Sequence, residues 1–335
     1  MVIGIITFTL LGIGLLGYML FTHRSCYVHH TSILQAPPQK LFDQLSQLES
    51  WPSWLPWVDY DNTPTITFEE SPSTTIESAV ISIKSQALGT VTCRVTDYQV
   101  NDSLTFQVLS DKLFFGVLDI TVSHQLSETG ECVIHLTGYN ELAFWQRHKQ
   151  PQQLNQLYAD LKLMLVKIQS YVDKDPKYAL QIELEDCKQL ENVDAVTRPF
   201  IVSDQPMSQK MEQGFQDLIT SLGPDNPPAG PRFALYETAD PSHHYFVGKL
   251  GVPIQCFTPC NAHPEKIVLK GLYASLRFQG SYQYLGLGWH ILNRYCECHG
   301  LKVGNHRPKI EIYEVSPHDT STPQDYVTIL RAPIQ

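Results

Sequence analysis

Apolar and polar positions follow three different rhythms along the chain. From Met1 to Phe21 no side chain is charged, and Val2–Phe21 runs on with no polar face. From about residue 27 the period becomes two: Val91, Cys93, Val95 and then Leu104, Phe106, Val108 alternate with polar neighbours, as half-buried strands do. This predicts strands at roughly 74–84, 89–99, 102–110, 114–126 and 130–139, after a first strand-like stretch, Tyr27–Leu34. Gly89, Asn101-Asp102 and Glu128-Thr129-Gly130 supply the turns. Two stretches follow the helical period instead. Leu41, Phe42, Leu45 and Leu48 come after Pro37-Pro38, a pair suited to opening a helix, and Leu154, Leu157, Leu161, Leu165 and Ile168 share one face of a longer helix. Between them Trp51-Pro52-Ser53-Trp54-Leu55-Pro56-Trp57 breaks the first helix with two prolines and three indoles.

Asp173-Lys174-Asp175-Pro176 is a polar break that ends in proline, and beyond it one pattern runs twice. The first pass predicts strands near Ala179–Leu184 and Asp194–Phe200, a helix over Ser208–Ser221, and strands near Phe233–Glu237 and Tyr245–Leu250. Ser208 and Glu212 suit the helix start, while Met211, Phe215, Leu218, Ile219 and Leu222 form its apolar side. The second pass predicts strands near Glu265–Leu269 and Leu272–Phe278, a helix over Tyr284–His299, and strands at Lys309–Val315 and Tyr326–Ala332. The reading is therefore α+β, in three parts: an anchor at 1–26, a first domain at 27–173, and a second at 174–335 that repeats strand–helix–strand–strand about a pseudo-two-fold, with a cleft between its halves.

Charge narrows the function classes. The net charge is −10 and no dense Lys/Arg cluster occurs, so direct nucleic-acid binding is disfavoured. Val2–Phe21 as a helix would span about 30 Å, the hydrocarbon thickness of a bilayer. A cleaved signal peptide fits poorly, because no basic residue precedes the run and its exit, Phe21-Thr22-His23-Arg24-Ser25-Cys26, is a poor cleavage site. An uncleaved single-pass anchor over residues 2–21 is the expectation, in a bacterial inner membrane. Arg24 and Lys40 after the run lean the body towards the cytoplasm. The eight cysteines form no clear framework. Cys256 and Cys260, and Cys296 and Cys298, with His263 and His299 nearby, lack the spacing of common zinc knuckles, so no metal or cofactor is expected.

Two family resemblances follow from quoted residues. Ile33-Leu34-Gln35-Ala36-Pro37-Pro38 leading to Phe42, then the Trp51–Trp57 segment, resembles the opening of the START-like, polyketide-cyclase/dehydrase superfamily (SRPBCC). That resemblance implies a helix-grip fold over 27–173, with a sheet curled round the long helix and an apolar cavity for a lipid-like ligand. Trp51, Trp54 and Trp57 would stand at its mouth or simply form core. Glu141, Trp145, Arg147 and His148 are polar cavity groups or solvated linker residues. In the second domain, Gly271-Leu272-Tyr273-Ala274 through Gly280-Ser281-Tyr282, Pro308-Lys309-Ile310-Glu311-Ile312-Tyr313 and Gly230-Pro231-Arg232-Phe233-Ala234-Leu235-Tyr236 resemble the GyrI-like family of small-molecule-binding, effector-binding domains. The resemblance implies a ligand-binding acidic residue at Glu311.

Independently of the resemblance, Glu311 and Tyr313 lie two apart on one strand and face the same side, as does Lys309. A carboxylate among Tyr236, Tyr273, Tyr313 and Trp289 suits an organic cation, by charge pairing and cation–π contact. Two functions remain in play. One is a membrane-anchored sensor that binds a hydrophobic or cationic small molecule near Glu311, with a lipid-like molecule in the first domain and a protein partner the sequence does not name. The other, implied by the GyrI-like resemblance, is a hydrolase of reactive small xenobiotics with Glu311 as general base. A transcription regulator would need a DNA-binding segment supplied by a partner.

Overall fold

In the computed structural model the described residues are 12, 14, 17 and 25–335, apart from 70–75, 129, 174–178, 203–206, 241–244, 256–257, 259–264 and 305–306. Of the expected anchor only Gly12, Gly14 and Gly17 are described, all helical; the rest of residues 2–21 lies outside the described residues. Among the described residues no helix is long and apolar enough to cross a membrane. The chain divides into two compact units, 1–175 and 176–335, both α+β and antiparallel.

The first unit opens with strand β1 (Ser25–Leu34) and helix α1 (Pro38–Leu45), in which Pro38 takes a first-turn position and Leu41, Phe42 and Leu45 are buried. Two 3-10 turns, Leu48–Ser53 and Pro56–Tyr60, carry the tryptophan segment. Strands β2 (Thr65–Glu69), β3 (Val80–Ser85), β4 (Gly89–Gln99), β5 (Ser103–Ser110), β6 (Val117–Leu126) and β7 (Cys132–Glu141) join β1 in a sheet ordered β1-β7-β6-β5-β4-β3-β2. Period-two burial of Leu104, Phe106 and Val108, of Leu118, Ile120 and Val122, and of Ile134 and Leu136 gives the sheet one apolar face. The long helix α2 (Gln150–Asp173) buries Leu157, Leu161, Leu165, Ile168 and Val172. Leu157 and Leu161 lie over Gly138 of β7, where the missing side chain lets helix and strand approach. Gln150 Nε2 to Ser25 O at 2.8 Å and Gln169 Nε2 to Ser32 Oγ at 2.6 Å fasten α2 along β1.

The second unit runs β8 (Leu180–Val202), α3 (Met207–Leu222), β9 (Arg232–Asp240), β10 (Tyr245–Pro253), β11 (Glu265–Gly280), α4 (Leu285–Cys298), β12 (Lys309–Val315) and β13 (Val327–Pro333). The strands close into a barrel in the order β10-β8-β11-β13-β12-β9. Strand, helix, strand, strand occurs twice. The expected strand pairs at 179–200 and 265–278 are instead single long strands, β8 and β11, paired with each other. Register shifts at Leu269/Gly271 and Tyr273/Ser275 carry the pairing through stretches where alternation lapses, and Gly271 has φ 119°. Glu212, expected near a helix cap, accepts from Arg232 Nη1 at 3.1 Å.

Candidate functional site

Strand alternation on β12 sends Lys309, Glu311 and Tyr313 to one face and Ile310 and Ile312 to the other. On its neighbour β9, Ala234 and Tyr236 take the first face, and Phe233 and Leu235 the second. The first face packs against α3: Phe200, Met211, Phe215, Tyr236, Leu250 and Tyr313 form one apolar cluster. Phe215 meets the Tyr313 ring edge-on at 5.9 Å between centroids, and Phe200 meets Tyr236 likewise at 5.9 Å. From the other helix, α4, Trp289 reaches the same carboxylate.

Glu311 is therefore ringed by neutral donors. The Tyr313 hydroxyl donates to Oε2 at 2.6 Å and the Tyr236 hydroxyl to the same oxygen at 2.8 Å, while the Trp289 indole N–H donates to Oε1 at 2.7 Å. The residue is 5% exposed. Burial pushes its carboxyl above the usual carboxylate range, and the Trp289, Tyr313 and Tyr236 donors pull it back in part. Burial, and then the charge of Glu311, raise both tyrosines, so their protons stay on oxygen and serve as donors. Lys309 does not neutralise this carboxylate. Its ammonium lies 5.2 Å from the centroid of the Trp289 ring, and burial lowers it from the usual lysine value.

Four of the five residues expected at the site thus meet: Glu311, Tyr313, Tyr236 and Trp289. Tyr273 does not join them. It packs with Ala195, Phe233, Leu235, Leu269 and Ile310, on the opposite face of β9 and β12, with the Arg307 guanidinium 5.8 Å from its ring centroid. Sequence reasoning passed over Tyr282, whose ring lies 5.8 Å from Tyr313 and whose hydroxyl is raised first by burial and then by Glu311. It closes the Gly280-Ser281-Tyr282 motif, the one signal that singled it out. Met211 and Phe215 were visible only as an apolar helix side.

In the first unit Trp51, Trp54 and Trp57 are all fully buried, whereas Trp145 is 68% exposed and Glu141 and His148 are exposed. Arg147 is half-buried on the same 3-10 turn, Phe144–Lys149. Cys296 is buried and Cys298 half-buried; Cys256, Cys260 and His263 lie outside the described residues. Among the described residues no group of three or more His, Cys, Asp or Glu side chains is placed to hold a metal ion.

The geometry defines two antiparallel α+β units, one with a helix laid along an apolar sheet face and one with a buried carboxylate in an aromatic box. Comparison with known proteins matches part of the chain to a family. Residues 25–149 match the family described as polyketide cyclase / dehydrase and lipid transport. A search of the curated proteins finds no match. Among solved structures the chain is similar to the EcmrR C-terminal domain, at 15% identity and TM-score 0.38, covering 47% of this chain and 98% of that one. It is similar also to EcmrR in its complex with DNA, at 16% identity and TM-score 0.41, covering 57% and 70%. A third is protein CV1439 from Chromobacterium violaceum, at 12% identity and TM-score 0.33, covering 44% and 99%.

Proposed function

We propose that this chain is a small-molecule-binding protein whose second unit holds an organic cation with apolar surface beside Glu311. One observation carries the reading: a buried carboxylate whose hydrogen-bond partners are all neutral. Taking a carboxylate out of water without a counter-charge is costly, and a bound cation relieves that cost. The aromatic faces of Tyr236, Tyr282 and Tyr313 suit the same ligand through cation–π contact. The first unit, with the apolar sheet face under α2, is read as the seat of a lipid-like molecule. Placement at a membrane, and with it a sensor role there, rests on the uncharged run Val2–Phe21 alone.

Thermal unfolding of the full chain with tetraphenylphosphonium tests the cation site, with neutral triphenylphosphine oxide as control. The cation should stabilise the wild type and leave Glu311→Gln little changed, with the neutral compound weak in both. Equal stabilisation of wild type and variant by the cation would remove Glu311 from the site.

The raised carboxyl of Glu311 favours a second reading, hydrolysis with Glu311 as general base. Three donors already occupy its two oxygens, which leaves little basicity free. Cleavage of a strained, reactive xenobiotic by the wild type, absent in Glu311→Gln, would establish this reading over simple binding.

A further inference from the structure

The first unit carries three indoles within seven residues, and the fold treats them unequally. Trp51 Nε1 donates to Leu45 O at 2.9 Å. Trp54 and Trp57 are as deeply buried, at 1% and 0% exposure, yet neither indole N–H finds an acceptor among the described residues. An indole nitrogen can only donate, so each is a buried donor whose desolvation nothing offsets. Buried polar groups are paired in the great majority of cases, and two exceptions in four residues require a cause.

Loose packing is not that cause. Trp54 is wedged between Trp51, at 4.9 Å between ring centroids, and Phe106 of β5, edge-on at 6.1 Å. Trp57 packs against Phe114 at 6.2 Å. The turn that carries Trp57 is tied to α2 by two side-chain pairs, Tyr60 donating to Asp160 and Lys167 paired with Asp59. A phenylalanine at either position would bury a comparable ring with no donor to satisfy. What the tryptophans add is the N–H.

We propose that Trp54 and Trp57 are the polar anchor of a ligand site in the first unit, donating to the carbonyl oxygen of an otherwise apolar molecule such as a ketone or ester. Both donors are neutral, and Lys167, the cation on α2 beside this turn, is committed to Asp59. A neutral acceptor therefore fits better than a carboxylate or phosphate, which would call for a free cation. The assignment rests on reading the first unit as a binder of apolar molecules, and it adds the group that such a molecule must carry.

The test uses the full chain labelled with nitrogen-15 at tryptophan, titrated with dodecyl methyl ketone and, separately, with tetradecane, which has the same number of carbons. The chain has five tryptophans and so five indole N–H signals, assigned by single Trp→Phe variants. The ketone should bind more tightly than the alkane and move the Trp54 and Trp57 indole protons downfield, leaving Trp51 in place. Trp54→Phe and Trp57→Phe should each weaken ketone binding about tenfold and leave alkane binding unchanged. Equal binding of ketone and alkane, with the two indole signals unmoved, would overturn the anchor while sparing the apolar-binding reading. Failure of both compounds to bind would overturn both. If one variant fails to fold, the remaining four assign all five signals by elimination, and the titration of the unmodified chain decides.

Discussion

Glu311 is a carboxylate kept from water, and its proton is a measurable quantity. Burial favours the neutral form, so between the ordinary glutamate value of 4.5 and its raised one the folded protein binds more protons than the unfolded chain. The sign follows: stability contributed at this position falls as pH rises through that interval and stays low above it. Urea unfolding at a series of pH values should show the wild type losing ground to Glu311→Gln as pH climbs above 4.5. A difference independent of pH would mean that the three donors cancel the effect of burial. Lys309 offers a second residue-scale test. Its ammonium lies over the Trp289 ring, where it would compete with the proposed ligand cation. Lys309→Met keeps the alkyl stem and removes the charge, and should strengthen tetraphenylphosphonium binding by about 1 kcal/mol, read by calorimetry. At this scale the sequence reveals what a single strand decides. Glu311 and Tyr313 share a face because they are two apart. Tyr273 was misplaced because β13 lies between its strand and β12, and the register shift at Tyr273/Ser275 is not written in the alternation.

Elements obey the same logic where neighbours press closely. At Gly248 of β10 the pairing with β9 shifts register, and a Cβ there would lie 1.9 Å from the backbone oxygen of Leu235. A backbone oxygen cannot turn aside as a side-chain tip can, so Gly248→Ala should cost about 3 kcal/mol or more in chemical denaturation. Gly138→Ala meets flexible side-chain ends, Leu161 Cδ1 at 2.7 Å and Leu157 Cδ1 and Cδ2 at 3.3 and 3.6 Å, and should cost about 1 kcal/mol. Periodicity foretold most of the elements, because apolar burial on one face is what creates them. It divided β8 and β11 into pieces, since β8 passes through polar stretches such as Glu185-Asp186-Cys187-Lys188 and β11 through Lys270-Gly271 at a register shift, both held by long-range pairing. The short strand β2 was passed over although Ile66 and Phe68 alternate with polar neighbours; it is mostly exposed, so little burial marks it.

For the whole molecule, two compact units would make the two proposed binding events separate. A ligand that binds only the folded form stabilises its own unit by RT ln(1 + [L]/Kd), about 2.7 kcal/mol at a hundredfold excess over Kd, and leaves a unit it does not touch unchanged. Each unit has its own core: the sheet face under α2 in the first, the clusters around Tyr236 and Phe233 in the second. Calorimetry of the full chain should therefore resolve two transitions. Tetraphenylphosphonium should raise one and dodecyl methyl ketone the other, and the two shifts should add when both ligands are present. Glu311→Gln should abolish the first shift without touching the second, and Trp54→Phe should reduce the second without touching the first. If either ligand moved both transitions together, the units would be coupled through their folding. Occupancy of the aromatic box at Glu311 would then be felt at the indoles of the first unit, which is what a sensor with two inputs requires.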